Sequence, residues 1–162
     1  MLSLTVAPFH GVGKLSILKR FSDGKKLSSL ECCNANMNDV FAEATRFISD
    51  CYGFPDESMT KCCTKCWQSK TSKARRTAPP LKYLPPTEIA FRENLKKSLI
   101  QGLIWGSASY ADPPTIDPTQ YGWTRDEFDK QLVPVGLPCG VAAAPEEVLN
   151  EIKCPCQSSS PC

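Results

Sequence analysis

The stretch Asn36-Met-Asn-Asp-Val-Phe-Ala-Glu-Ala-Thr-Arg-Phe-Ile-Ser-Asp-Cys51 decides the fold class. Met37, Val40, Phe41, Ala44, Ile48 and Cys51 recur at i, i+3, i+4, i+7, i+11 and i+14, which is one face of an α-helix. Phe47 widens that face. Asn36 is a capping residue, Asp39 suits the positive end of the helix dipole, and Gly53 with Pro55 ends the run. Working outward, Thr87 caps a second long helix over residues 88–105, with Phe91, Leu95, Leu99 and Leu103 on its face and Ile100 and Ile104 alongside. Gly102 and Gly106 lower its propensity and leave room for another element to approach. Between the two helices, residues 71–86 contain two Pro-Pro pairs, which favour extended backbone and divide the chain.

The flanks add shorter elements. After Gly13, residues Leu15, Leu18 and Phe21 line one side of an amphipathic helix, with Ile17 adjacent. Asp112-Pro-Pro-Thr-Ile-Asp-Pro-Thr-Gln-Tyr-Gly-Trp123 reads as a loop whose two aromatics tuck onto the second long helix. Residues 131–135 make a short edge strand at most, since Pro134 lacks the N–H for a ladder. Pro145 suits the first position of a last helix carrying Val148, Leu149 and Ile152. The fold class is therefore mainly α: a small irregular helical domain with proline-rich connections and a cysteine-containing C-terminal tail. Residues 1–70 form a helical region, 71–86 a basic proline-rich linker, 87–153 a second helical region and 154–162 a cysteine segment.

Composition narrows the function. The 162 residues are 41% hydrophobic and 22% charged, as in an ordinary globular chain, with 14 prolines and 10 cysteines. No apolar run reaches the roughly 18 residues of a membrane span, so no membrane partner is expected. The start is too short for a secretory leader, which places the chain inside the cell and its cysteines as thiols or metal ligands. The net charge of +2 hides alternating blocks: +4 over residues 1–30, −5 over 31–60, +7 over 61–82 and −4 over the remainder. The basic block is either a solvated linker or a phosphate-contacting surface, with Lys73, Arg75 and Arg76 as its candidate contacts.

Phe9-His-Gly-Val-Gly-Lys-Leu-Ser-Ile joins a glycine turn to a helix start. Gly11 and Gly13 can take positive φ and leave backbone N–H groups unshielded, and such donors at a helix N-terminus suit a phosphate oxygen. Val12 completes the turn and Lys14 adds charge. A Walker loop is excluded by spacing, and the plain alternative is a turn that only starts a helix. His10-Gly-Val-Gly-Lys-Leu-Ser-Ile-Leu-Lys resembles the hairpin of helix–hairpin–helix DNA-binding elements. The run from Thr5 to Lys14 resembles uncharacterised flap-nuclease-like proteins suspected to derive from mobile elements. Leu84-Pro-Pro-Thr-Glu-Ile-Ala-Phe, Ile104-Trp105, the Tyr121-Gly-Trp segment and Ala144-Pro-Glu-Glu-Val-Leu are similar to the C-terminal region of the same family. The resemblance implies DNA-backbone binding by Gly11, Val12, Gly13 and Lys14, with a monovalent cation at the hairpin. Leu4 stands where that family carries an aspartate of its metal-binding acidic cluster, so catalysis is not expected. Asp39, Glu43 and Asp50 read as the solvated side of their helix.

Cys154, Cys156 and Cys162, spaced Cys-x-Cys-x5-Cys, resemble the opening of a tesmin-type CXC zinc domain. Three thiolates make an open zinc site needing a fourth ligand, from Cys139 or another chain. Cys62, Cys63, Cys66 and Trp67 recur at helical spacing and read as a packing face, with pairing to Cys32 and Cys33 at zinc as the alternative. The leading expectation is a non-catalytic nucleic-acid-binding fragment with both ends inside recognisable motifs. A nuclear location follows from its partner and the basic 73–76 stretch. A metal-dependent nuclease completed by residues outside this chain and a protein-interaction fragment are the alternatives.

Overall fold

The computed structural model describes residues 9–30, 35–73 and 80–152. Among the described residues five helices carry the fold: α1 (Lys14–Ser22), α2 (Met37–Cys51), α3 (Met59–Lys73), α4 (Glu88–Ser107) and α5 (Glu146–Ile152). Beside them lies a two-stranded antiparallel sheet, β1 (Trp123–Arg125) with β2 (Leu132–Pro134), in the register Trp123↔Pro134, Thr124↔Val133 and Arg125↔Leu132. The chain is mainly α, as the periodicities predict.

Local chemistry sets the boundaries. The Asn36 side chain accepts from the Asn38 amide at 2.9 Å, and Gly53 closes α2 at φ +84°. The Thr87 hydroxyl accepts from Ala90, and Glu88 stands in the first turn of α4. Ser58 caps α3 through its hydroxyl, which accepts from Lys61. Helix α5 starts just after Pro145, one residue later than expected. Pro134 is tolerated in β2 because a two-stranded sheet consists of edges.

Among the described residues two apolar clusters hold these elements. The larger joins Val40, Phe41, Ala44, Phe47 and Ile48 of α2 to Met59 and Cys62 of α3 and to Phe91 and Leu95 of α4. Phe91 sits between two rings, its centroid 5.6 Å from that of Phe41 and 5.8 Å from that of Phe9. The smaller cluster holds Cys63 and Trp67 of α3, Leu84, Ala144 and Val148. Trp67 donates its indole N–H to Glu151, which ties α5 to α3. Cys62 and Cys63, adjacent in sequence, thus face different clusters.

Three expectations change. On α1 the Leu15 and Leu18 side chains are 82% and 59% exposed, while Ile17 turns inward and the Phe21 ring lies tilted against Phe47, with centroids 5.0 Å apart. A short helix lying on one neighbour buries a single stripe, and Ile17 occupies it. On α4 the buried stripe runs through Phe91, Leu95 and Ile100, and Ile104 and Trp105 are exposed. A Cβ placed at Gly102 or Gly106 would meet nothing within 4 Å, so among the described residues no element approaches there.

Candidate nucleic-acid interface

The glycine turn is built from its backbone outward. Phe9 accepts a hydrogen bond from the Val12 amide at 3.2 Å, and Gly11 between them has φ +84°, a region open to glycine and costly for other residues. Gly13 differs from expectation: its φ is −83° and its ψ 163°, extended backbone that any residue adopts. Its carbonyl caps α1 by accepting from Ser16 and Ile17 at 3.0 and 3.2 Å. The amides of Gly13, Lys14 and Leu15 meet no acceptor among the described residues, as at any helix start without a side-chain cap. A Cβ at Gly11 or Gly13 would find open space, so an incoming group can reach this backbone. The Lys14 side chain is exposed beside it.

Three aromatic anchors fix the turn to the body of the protein. Phe9 packs on Phe91 in the larger cluster. The Tyr52 hydroxyl donates to the His10 carbonyl at 3.1 Å, and the His10 ring stacks on Tyr83 with centroids 4.3 Å apart and planes 28° from parallel. Tyr83 ends a short 3-10 turn (Leu81–Tyr83) and gathers charge around it. Lys82 Nζ lies 5.2 Å from the ring centroid and Lys70 Nζ 5.9 Å from it. Lys70 also donates to the Tyr83 carbonyl at 2.8 Å. The N-terminal turn and two lysines of the basic block, distant in sequence, are therefore neighbours through one tyrosine.

The basic block is not uniformly available. Lys61 and Lys65 are 3.6 and 2.6 Å from the Glu57 carboxylate, and the hydrogen bond from Lys65 holds that carboxyl below its ordinary range. Lys73 is the last residue of α3, while Arg75 and Arg76 lie outside the described residues. Tyr52 and Tyr83 were not singled out by sequence reasoning. The signal for Tyr83 was an aromatic beside Lys82 in a basic stretch; Tyr52 carried none.

The acids of α2 are not simply solvated. Glu43 accepts from the amides of Ser28 and Ser29 at 3.0 and 2.7 Å, capping the 3-10 turn Ser28–Leu30. Asp50 pairs with Arg20 at 3.4 Å, and Arg20 donates to the Asp50 carbonyl at 2.9 Å. These groups fasten α1 and its following turn to α2; Asp39 stays exposed.

Cys154, Cys156 and Cys162 lie outside the described residues, as do Cys32 and Cys33. Cys139 is an exposed thiol. Among the described residues no group of three or more His, Cys, Asp or Glu side chains is placed to hold a metal ion. Burial pushes the Cys62 and Cys63 thiols up to about 11, the opposite of the lowered value that activates a nucleophilic thiol. Packing accounts for both. No described helix is long and apolar enough to cross a membrane. Comparison with family models, with curated proteins and with solved structures finds no match to this chain.

Proposed function

We propose that this protein binds nucleic acid, DNA in the first place, through the sugar–phosphate backbone and without catalysing a reaction on it. The observation that carries the reading is the convergence of the open 11–14 turn with Lys70 and Lys82 around Tyr83. The uncommitted amides of Gly13, Lys14 and Leu15 supply directed donors for one phosphate, and Lys14 supplies charge beside them. Lys82 extends the contact to neighbouring phosphates, and Lys73, Arg75 and Arg76 of the same basic block add to it. Contacts of this kind orient a protein on its ligand without reading bases. The resemblance to flap-nuclease-like proteins adds a monovalent cation at the hairpin and zinc at Cys154, Cys156 and Cys162 to the same proposal. Neither is required by the backbone contact. A nuclear location follows from the partner.

A salt titration with a DNA duplex tests the reading. Affinity is expected to fall with a log–log slope of about −0.9 per phosphate neutralised. Lys14→Glu is expected to weaken binding across sequences and to reduce the slope by about one. Absence of binding at low salt, or a Lys14→Glu variant indistinguishable from the parent, would overturn it.

A further inference from the structure

We propose that the outer face of His10, backed by Tyr83, is a stacking site for an unpaired nucleobase, so that the preferred ligand of this surface is a single strand. The inference rests on the backbone-binding reading above and names its ligand class. His10 is exposed, one face of its ring is covered by Tyr83, and among the described residues no other ring stacks on it. Tyr83 is itself 36% exposed. The pair is held in place before any ligand arrives. The Tyr52 hydroxyl fixes the His10 backbone, and Lys70 fixes that of Tyr83. Little conformational freedom is then lost when a base adds to the stack.

The surroundings suit a strand rather than a neutral ring. Lys82 and Lys70 place two ammonium groups within 6 Å of the Tyr83 centroid, at 5.2 and 5.9 Å. The free amides begin at Gly13, three residues from His10, a separation of at most about 11 Å along the chain. At about 3.4 Å per nucleotide of a stacked strand, this is the reach of a short oligonucleotide. A base on His10 and a phosphate on the 13–15 amides can therefore belong to one strand. Aromatic platforms flanked by cations bind single strands with little sequence preference, because every base offers a π-face. Inside a duplex those faces are occupied by neighbouring pairs, so a duplex can use the amides and lysines but not the ring.

The test compares two single strands of roughly 12 nucleotides, within the span of such sites, one of thymidylate and one of abasic backbone, with the full chain at low salt. The thymidylate strand is expected to bind about ten-fold more tightly than the abasic one, in the range of one stacked base. His10→Ala is expected to lower thymidylate affinity to the abasic level and His10→Phe to restore it, with circular dichroism confirming that both variants fold. Equal affinity for the two strands, or a His10→Ala variant that keeps the preference, overturns the stacking site while leaving the backbone reading standing. Failure of both strands and of a duplex to bind overturns the two together. A duplex bound as tightly as the thymidylate strand assigns the surface to backbone contacts and rejects the single-strand preference.

Discussion

Gly122 shows how much a single residue decides here. It ends a 3-10 turn (Pro118–Tyr121) in the left-handed region at φ +78°, and an added Cβ would lie 3.2 Å from Glu93 Oε2 and 3.6 Å from the Glu93 carbonyl oxygen. Lacking that carbon, Gly122 settles against Glu93 and Lys97 of α4, and Trp123 after it is buried, 6% exposed. Gly122→Ala is expected to lower stability by about 1–2 kcal/mol, combining backbone strain with the tight contact. Gly13→Ala, at φ −83° with open space around it, is expected to stay within about 0.5 kcal/mol of the parent. Chemical denaturation of the two variants checks this; equal shifts would contradict it. The Tyr-Gly-Trp segment is legible in the sequence as a loop on the second long helix, and Gly122 lies against Glu93 of that helix. Positive φ is expected at both Gly11 and Gly13, and only Gly11 has it, because Gly13 stands in extended backbone at the start of α1.

Helix α3 works as an element shared between two interiors. Residues one apart on a helix are about 100° apart around its axis, so Cys62 and Cys63 enter different clusters, at 0% and 1% exposure. Both thiols are raised from an ordinary 9.0 to about 11 by burial, and Tyr52 is raised by burial as well. A group whose folded value is raised contributes stability that is present below its unfolded value and lost as pH rises through the folded one. The urea midpoint is therefore expected to hold up to about pH 9 and to fall toward pH 11. The Cys62→Ala, Cys63→Ala double variant should show a shallower alkaline fall, Tyr52 keeping part of it. A pH-independent midpoint across that window would refute the assignment. The helical spacing of Cys62, Cys63, Cys66 and Trp67 was legible as a packing face. That the face splits between α2 and α5 was not, since the spacing contains no information about what stands opposite.

At the scale of the whole molecule, α2 and α4 meet across the proline-rich segment that the sequence reads as a divider. Phe91 of α4 lies against Phe41 of α2 and against Phe9 ahead of the glycine turn, at 1% exposure. Leu84 is buried in the second cluster, and α3 contributes to both. A helix that puts one side chain row into each cluster couples the two. Phe91→Ala is expected to cost about 3–5 kcal/mol, a large part of the stability of a domain of this size. The loss should appear as one cooperative transition moved to lower denaturant. Separate transitions for the tryptophan and far-ultraviolet signals would show that the clusters unfold independently.

The sequence suffices for the helical class, the caps at Asn36 and Thr87, the apolar stripe of α2 and the Phe91–Leu95 part of that of α4, because these depend on periodicity and on side chains within one turn of the backbone they serve. It also marked the 11–14 turn as a place where amides stand open. Only the tertiary structure decided which stripes find a partner, so that Leu15 and Leu18 face outward while Ile17 does not. Likewise only the fold placed Tyr83 against His10 and spent Glu43 and Asp50 on holding α1 and its turn. The physical reason is range. Hydrogen-bonded caps and helical periodicity act over a few residues, whereas burial and ring stacking act between segments that the chain alone does not place side by side.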